Sequence, residues 1–294
     1  MNTLRDALAL AQEKQIAIGH FNIADLEMRK AIFESAKDLS QEAGYKIPVI
    51  IGVSEGERDY IGIPEVVALI KAMRESHDYP IFLNADHTSS VERSKEAIDA
   101  GFDAVIIDQA KLPIEENISA TKAVVDYAKS VNYSGFIEAE LGYIGSGSKV
   151  LESLPEGAAI TEDAVTKVEE AVRFVTETGI DLFAPAVGNV HGMLAKGKNP
   201  NLFIERIKEI ATATAKPLVL HGGSGISDSD CASAIEAGVR SIHISTELRR
   251  AWREATEKGL ANDSEQIAPY KVMEPVLSIM ESVVKSRLRL FNKL

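Results

Sequence analysis

A closed barrel of eight parallel strands, each followed by a helix, is the fold this sequence predicts, and three features predict it. Eight short apolar runs of strand length recur along the chain. They are apolar on both faces, as parallel strands are when helices cover them. A stretch with helical periodicity separates each run from the next, and eight such repeats favour a closed (β/α)8 (TIM) barrel over an open sheet. The alternative is an open doubly wound sheet. No G-x-G-x-x-G segment follows an early strand, which argues against its dinucleotide-binding form.

The elements follow in order. Residues 1–15 (MNTLRDALALAQEKQ) read as a short amphipathic helix. Strands are expected at Ile16–Ile23, Pro48–Ser54, Ile81–His87, Ala104–Ala110, Phe136–Gly142, Leu182–Gly188, Pro217–Gly223 and Ser241–Thr246. Helices are expected at Leu26–Ala43, Pro64–Ser76, Ser90–Ala100, Pro113–Ser130, Glu162–Thr178, Asn201–Ala213, Asp228–Ala237 and around Glu247–Lys258. Gly101, Gly179 and Gly238 sit where glycine stops a helix. A further helix, Glu274–Leu290, ends the chain and packs on the barrel or on a neighbour. Nothing resembles a linker, so residues 1–294 are read as one barrel domain.

Composition narrows the function. At 45% hydrophobic and 26% charged, the chain is an ordinary globular one. No apolar run approaches the roughly 20 residues that cross a bilayer, so no membrane association is expected. The N-terminus carries acidic residues and no cleavage pattern, and the single cysteine, Cys231, has no partner for an internal disulfide. Both fit a cytoplasmic location. A net charge of −12 argues against nucleic acid as a partner. It leaves small phosphorylated molecules open, because backbone amides and one or two cations suffice to hold a phosphate.

In a barrel of this type, reactive groups gather at the C-terminal ends of the strands. The third strand ends in Asp86-His87, the fourth holds Asp108, and the fifth holds Glu138 and Glu140. The sixth runs into Gly188-Asn189-Val190-His191-Gly192 and the seventh into His221-Gly222-Gly223-Ser224-Gly225. The eighth ends in Ser245-Thr246, and the first two end near Asn22 and Ser54. One histidine at a strand end is most often a satisfied polar residue. Three at matching ends, from six in the chain, point to a zinc site with an open position. The nearby carboxylates either brace the rings or serve a second metal position. His243 shares the face of Ser245 and is weighed evenly as a substrate contact or a structural residue. The glycines after His221 precede a helix and suit a phosphate nest.

These residues resemble the class II, zinc-dependent ketose-bisphosphate aldolases, of the fructose-bisphosphate and tagatose-bisphosphate type. The similarity runs from about Gly19 to Arg250 and rests on Phe21-Asn22, Val53-Ser54-Glu55-Gly56, Asp86-His87, Ile107-Asp108, the segment Pro113–Ile118, Glu138-Ala139-Glu140-Leu141-Gly142, and the two glycine-rich histidine motifs. The resemblance implies that His87, His191 and His221 bind Zn2+, with Asp108 and Glu140 near a second metal position that a divalent or monovalent cation would fill. It implies that Asp86 exchanges the proton of the aldehyde oxygen. Gly192, Gly222, Gly223, Ser224 and Thr246 would bind phosphate, and Asn22 and Ser54 would touch substrate. The implied reaction is reversible cleavage of a ketose 1,6-bisphosphate, fructose 1,6-bisphosphate by default, to dihydroxyacetone phosphate and glyceraldehyde 3-phosphate. A homo-oligomer, dimer or tetramer, is also implied.

Three departures bear on this. His243 stands where the family usually has Asn, with Ser245 two residues on. The acidic residue that the family carries eight positions after Glu140 is here Ser148, so Glu152 is taken as the base on that loop. Lys196 or Lys198 stands in for a lysine that follows the His191 motif in the family. They keep open a tagatose bisphosphate or another phosphorylated keto-sugar as substrate, and a non-catalytic sugar-phosphate-binding protein on the same fold.

Overall fold

The computed structural model describes residues 1, 3–196 and 198–294. Eight parallel strands among them close into a barrel: β1 (Ile18–Asn22), β2 (Val49–Val53), β3 (Ile81–Thr88), β4 (Ala104–Ile107), β5 (Phe136–Leu141), β7 (Leu182–Pro185), β9 (Leu218–Leu220) and β10 (Val239–Ile244). Each pairs with its sequence neighbour in the barrel, and β1 closes on β10 with His20 opposite His243. Two further short strands, β6 (Val150–Leu151) and β8 (Met193–Leu194), pair with each other above the mouth. They tie the loop after β5 to the loop after β7. No helix among the described residues is long and apolar enough to cross a membrane.

The helices are α1 (Leu4–Lys14), α2 (Leu26–Ala43), α3 (Glu55–Ile61), α4 (Ile63–His77), α5 (Val91–Ala100), α6 (Ile114–Ser130), α7 (Val168–Thr178), α8 (Ile204–Thr214), α9 (Asp228–Ala237), α10 (Thr246–Asn262) and α11 (Pro269–Asn292). Local chemistry sets most of their ends. The Asp25 side chain accepts from the Met28 amide at 2.7 Å at the start of α2, and Gly101 ends α5 with φ 88°. One helix was not foreseen. Ser54 and Glu57 form a capping box, Glu57 accepting from the Ser54 amide at 2.8 Å, and start α3 directly after β2. Helix α7 begins six residues later than the expected Glu162. The chain first makes a turn, the Val165 amide reaching the Thr161 carbonyl at 3.0 Å, and tertiary bonds then hold Thr166: its amide reaches the Ala186 carbonyl at 2.9 Å, and its hydroxyl reaches the Leu141 carbonyl at 2.7 Å. The C-terminal helix packs on the barrel itself. Val276, Met280, Val284, Leu288 and Phe291 of α11 are buried, and Lys285 and Arg289 pair with Asp38 and Glu42 of α2.

Alternation along the strands sorts the chain into two cores. Ile51, Leu83, Val105, Ile137, Phe183 and Leu220 face outward into the main core beneath the helices. Ile18, Ile50, Phe82, Phe136, Leu182 and Val219 face inward and fill the barrel floor, where Leu4, Ala7, Leu8 and Ala11 of α1 close it from below. The inward positions two and four residues further along the strands form the site.

Candidate active site

Counting by twos from the apolar floor reaches the polar residues. On β1 the series is Ile18, His20, Asn22; on β3 it is Phe82, Asn84, Asp86; on β5 it is Phe136, Glu138, Glu140. On β10 it is Ser241, His243, then Ser245 beyond the strand. His221 follows Val219 in the same way past the end of β9. All of these except Ser245 are buried.

Two of them, Glu140 and His221, converge with His87 and His191. One ligand atom each from His87, Glu140, His191 and His221 lies within 4.8 Å of all the others. Glu140 Oε1 sits 3.0 Å from His87 Nδ1 and 3.2 Å from His221 Nδ1, yet is buried without a well-formed hydrogen bond. His221 Nδ1 and His87 Nε2 also meet at 3.3 Å, and ligand atoms that crowd this closely around a buried carboxylate oxygen with no well-formed bond of its own fit a cation at their centre. The rings are braced from outside. Glu138 Oε1 holds His221 Nε2 at 2.7 Å, and Asp108 Oδ2 holds His87 Nδ1 at 2.9 Å. Asp108 is therefore a neighbour of the group rather than one of its four members. The Asn189 amide donates to the His221 carbonyl at 2.9 Å and ties the loop bearing His191 to β9. Gly222, with φ 63°, lets these loops meet, because a Cβ there would stand 2.2 Å from the Val190 carbonyl oxygen.

The electrostatics show how little protons alone can satisfy this cluster. Burial works against a charged His87, but the Asp86 and Glu140 carboxylates prevail and raise it well above the ordinary imidazole range. His191 moves the other way, lowered first by burial and then by His87 and His221. Burial raises the Glu138 carboxyl, and His221 opposes it. Burial pushes the Asp108 carboxyl up, but its hydrogen bond to His87, the charge of that ring and the Ala110 amide together hold it at about 2.

Asp86 lies beside the group. Asn22 Nδ2 donates to its Oδ2 at 2.8 Å, and its Oδ1 lies 3.4 Å from His243 Nδ1. His243 stacks on His20 with ring centroids 3.5 Å apart and planes 1° from parallel. His20, His243 and Asp86 are thus a second set of neighbouring ligand atoms. They suit a metal poorly, because in-plane lone pairs on two stacked parallel rings run side by side and do not meet. Burial instead keeps both rings neutral, with His20 lowered to about 4.

A pocket of about 30 Å³ opens over these groups, lined by Asn22, Asp86, His87, Ser148, His191, Gly192, Gly222, Ser224, His243, Ser245 and Thr246. Gly223 lies behind it with its amide bonded to the His243 carbonyl at 3.0 Å. Ser54 lies outside the lining, its hydroxyl bonded to Glu57 at 2.9 Å. Glu152 is exposed just past β6 and does not reach the pocket, whereas Ser148 does. Lys196 and Lys198 are also exposed and absent from the lining. A larger cleft, about 860 Å³, lies outside the barrel between α7 and α8, away from the histidines.

Several residues escaped the sequence reading. Asn199 donates to the carbonyls of Gly192 and Ser224 at 3.0 and 3.1 Å and so joins the two glycine-rich loops. Glu57 accepts from Asn22 at 3.0 Å and from Arg249. Arg249, Arg250 and Arg253 line a groove of about 470 Å³ that shares Ser148 and Thr246 with the pocket. The basic run Leu248-Arg249-Arg250-Ala251-Trp252-Arg253 was the available signal, set just past the eighth strand. Glu57 and Asn199 gave none, since neither lies on a strand whose alternation would flag it.

Known proteins agree with this geometry. The sequence profile described as fructose-bisphosphate aldolase class-II matches residues 2–294. A fructose-bisphosphate aldolase of Staphylococcus aureus is 37% identical over 295 residues, covering 99% of this chain and 96% of that protein. A 6-phospho-5-dehydro-2-deoxy-D-gluconate aldolase of Bacillus licheniformis is 39% identical over 293 residues, covering 99% and 94%. The crystal structure of the YdjI aldolase from Escherichia coli K12 superposes with a TM-score of 0.77 at 28% identity, covering 99% of this chain and 97% of that one.

Proposed function

We propose that this chain, which belongs to the class II fructose-bisphosphate aldolase family, cleaves a ketose 1,6-bisphosphate, by default fructose 1,6-bisphosphate, with Zn2+ held by His87, His191 and His221. The observation that carries the proposal is the convergence of these three imidazoles and Glu140 beside Asp86 at the barrel mouth. When bound, the zinc supplies a Lewis acid that polarises the ketone and steadies the negative charge left on the dihydroxyacetone phosphate half. Asp86 takes the proton from the C4 hydroxyl in cleavage and returns it in condensation. Asn22 fixes one oxygen of that carboxylate, and the other lies buried beside His243 and His87 without a well-formed bond.

The phosphate of the dihydroxyacetone half is assigned to Gly192, Gly222, Ser224 and the start of α10 at Ser245-Thr246, where the helix dipole favours an anion and the Ser224 hydroxyl already accepts from the Ser245 and Glu247 amides. The arginine groove beside it suits the second anionic group at the far end of the substrate. Glu138 and Asp108 brace the ligand rings, while Glu140 serves either the ion or a second cation position. We read residues 1–294 as one barrel domain, working as a homo-oligomer (dimer or tetramer) in the cytoplasm.

A second substrate reading rests on His243 and the arginines. A phosphorylated keto-sugar carrying a carboxylate, as in the name of the Bacillus licheniformis relative, or tagatose 1,6-bisphosphate, would meet the same groups. A coupled assay of cleavage tests the proposal. Chelation abolishes activity on a ketose bisphosphate, and zinc restores it. Turnover that survives complete removal of metal sinks the mechanism. Relative turnover on the three sugars decides the substrate.

A further inference from the structure

Asp86 and His87 are consecutive on a strand and yet both serve the barrel mouth. Alternation forbids this in a regular strand. On β3 the inward face carries Phe82, Asn84 and Asp86, and Ile81, Leu83 and Ala85 face the helices. His87 is due to face the helices as well. Two backbone features turn it inward. From Ala85 to Thr88 β3 advances three residues while its partner β4 advances two, Val105 to Ile107, so one extra residue bulges at Asp86–His87. His87 also has φ 44°, in the left-handed region that side chains disfavour.

A single buried side chain grips the bulge from behind. Arg58 of α3 is 1% exposed at its side chain. Its Nη1 donates to the carbonyls of Val53 at 3.1 Å and Asp86 at 3.4 Å, and its Nη2 donates to the Thr88 hydroxyl at 3.3 Å. It therefore holds the residue before His87 and the residue after it. A planar guanidinium serves several acceptors at once, which an ammonium cannot match. Glu55, 4.0 Å away, supplies the countercharge and itself accepts from the Ser89 amide at 2.9 Å just beyond β3. The mechanism above uses none of these groups.

We infer that Arg58 is a positioning residue of the metal centre: it stabilises the β3 bulge that turns His87 toward His191 and His221 and so sets the affinity of the site for its ion. The inference rests on the reading of these histidines as ligands. A purely structural arginine would lower the melting temperature and leave metal affinity unchanged at temperatures where the protein is folded.

The test uses Arg58→Met, Arg58→Lys and His87→Ala. Each protein is stripped of metal and checked for folding by circular dichroism, and its zinc affinity is then measured by competition with a chromogenic chelator. Arg58→Met is expected to bind zinc about 10–100-fold more weakly, the usual consequence of losing a group that orients a ligand. Arg58→Lys is expected to fall between it and the parent. In both, kcat should fall more than KM rises. Parental zinc affinity in folded Arg58→Met overturns the inference, and if that variant fails to fold, parental affinity in Arg58→Lys does so. His87→Ala separates the two failures. If it keeps zinc, the ligand assignment is wrong; if it loses zinc while the Arg58 variants keep it, only the role of Arg58 is wrong.

Discussion

The floor and the mouth of this barrel use the same strands and the same alternation, and they are chemically opposite. At the floor, Ile18, Phe82, Phe136 and Val219 pack against Leu4 and Leu8 of α1 with no polar partner to satisfy. Two residues along each strand, the same inward face carries His20, Asn84, Glu138 and His221. In this upper region buried atoms such as Asn84 Oδ1, Asp86 Oδ1, Glu140 Oε1 and His243 Nδ1 lack well-formed bonds. Apolar burial is non-directional and tolerates changes that conserve volume. The mouth depends on bond directions and stands on the stability that the floor and the outer core supply. Loss of a floor residue should thus appear as lost stability, and loss of a mouth residue as lost chemistry or lost metal.

That contrast can be broken in three places, beginning with the largest effect. Asp86→Asn keeps shape and burial but removes the base. It is expected to lower kcat by about 10²–10⁴-fold, with zinc content unchanged by metal analysis. Parental turnover in this variant would assign the proton transfer elsewhere. At the floor, Phe82→Ala leaves a cavity and is expected to cost about 3–5 kcal/mol of stability in denaturant titration. Its kcat and zinc affinity should match the parent below the unfolding transition. If it lost metal while still folded, floor and mouth would be coupled, and the separation drawn here would fail. The smallest effect belongs to Glu138→Gln, which keeps an acceptor for His221 Nε2 but removes the charge behind the ring. Zinc affinity should drop about 10–100-fold with little change in melting temperature. A large loss of stability with metal affinity intact would instead make Glu138 a structural residue.

Alternation explains how far the site was legible in the sequence. Asn22, Asp86, Glu140 and His221 sit at even spacings from apolar floor residues, and His243 and Ser245 follow Ser241 by twos, so the strand pattern points them inward. Asp108 continues the same series past the end of β4. The loops had no such guide. Glu152 was chosen by charge and nearness to Glu140, but the β6–β8 pairing brings Ser148 to the pocket and leaves Glu152 exposed. The glycine run after His221 suggested a row of free amides. The fold commits the Gly223 amide to His243 and the Gly225 amide to Glu247, and it leaves Gly222, Ser224 and the start of α10 lining the pocket. The α7 boundary was missed for a related reason, since Thr166 is bonded to Leu141 of β5 and to Ala186 just past β7, and no local preference records that.

The sequence by itself determined the number and order of the barrel strands, which of their residues face the lumen, and the end of the barrel where the chemistry gathers. These follow from periodicity, a property of a few neighbouring residues. Only the tertiary structure decided that His87 joins the lumen beside Asp86. A bulge and a left-handed residue are unfavourable on their own, and they persist here because a guanidinium from another element meets the backbone that they expose.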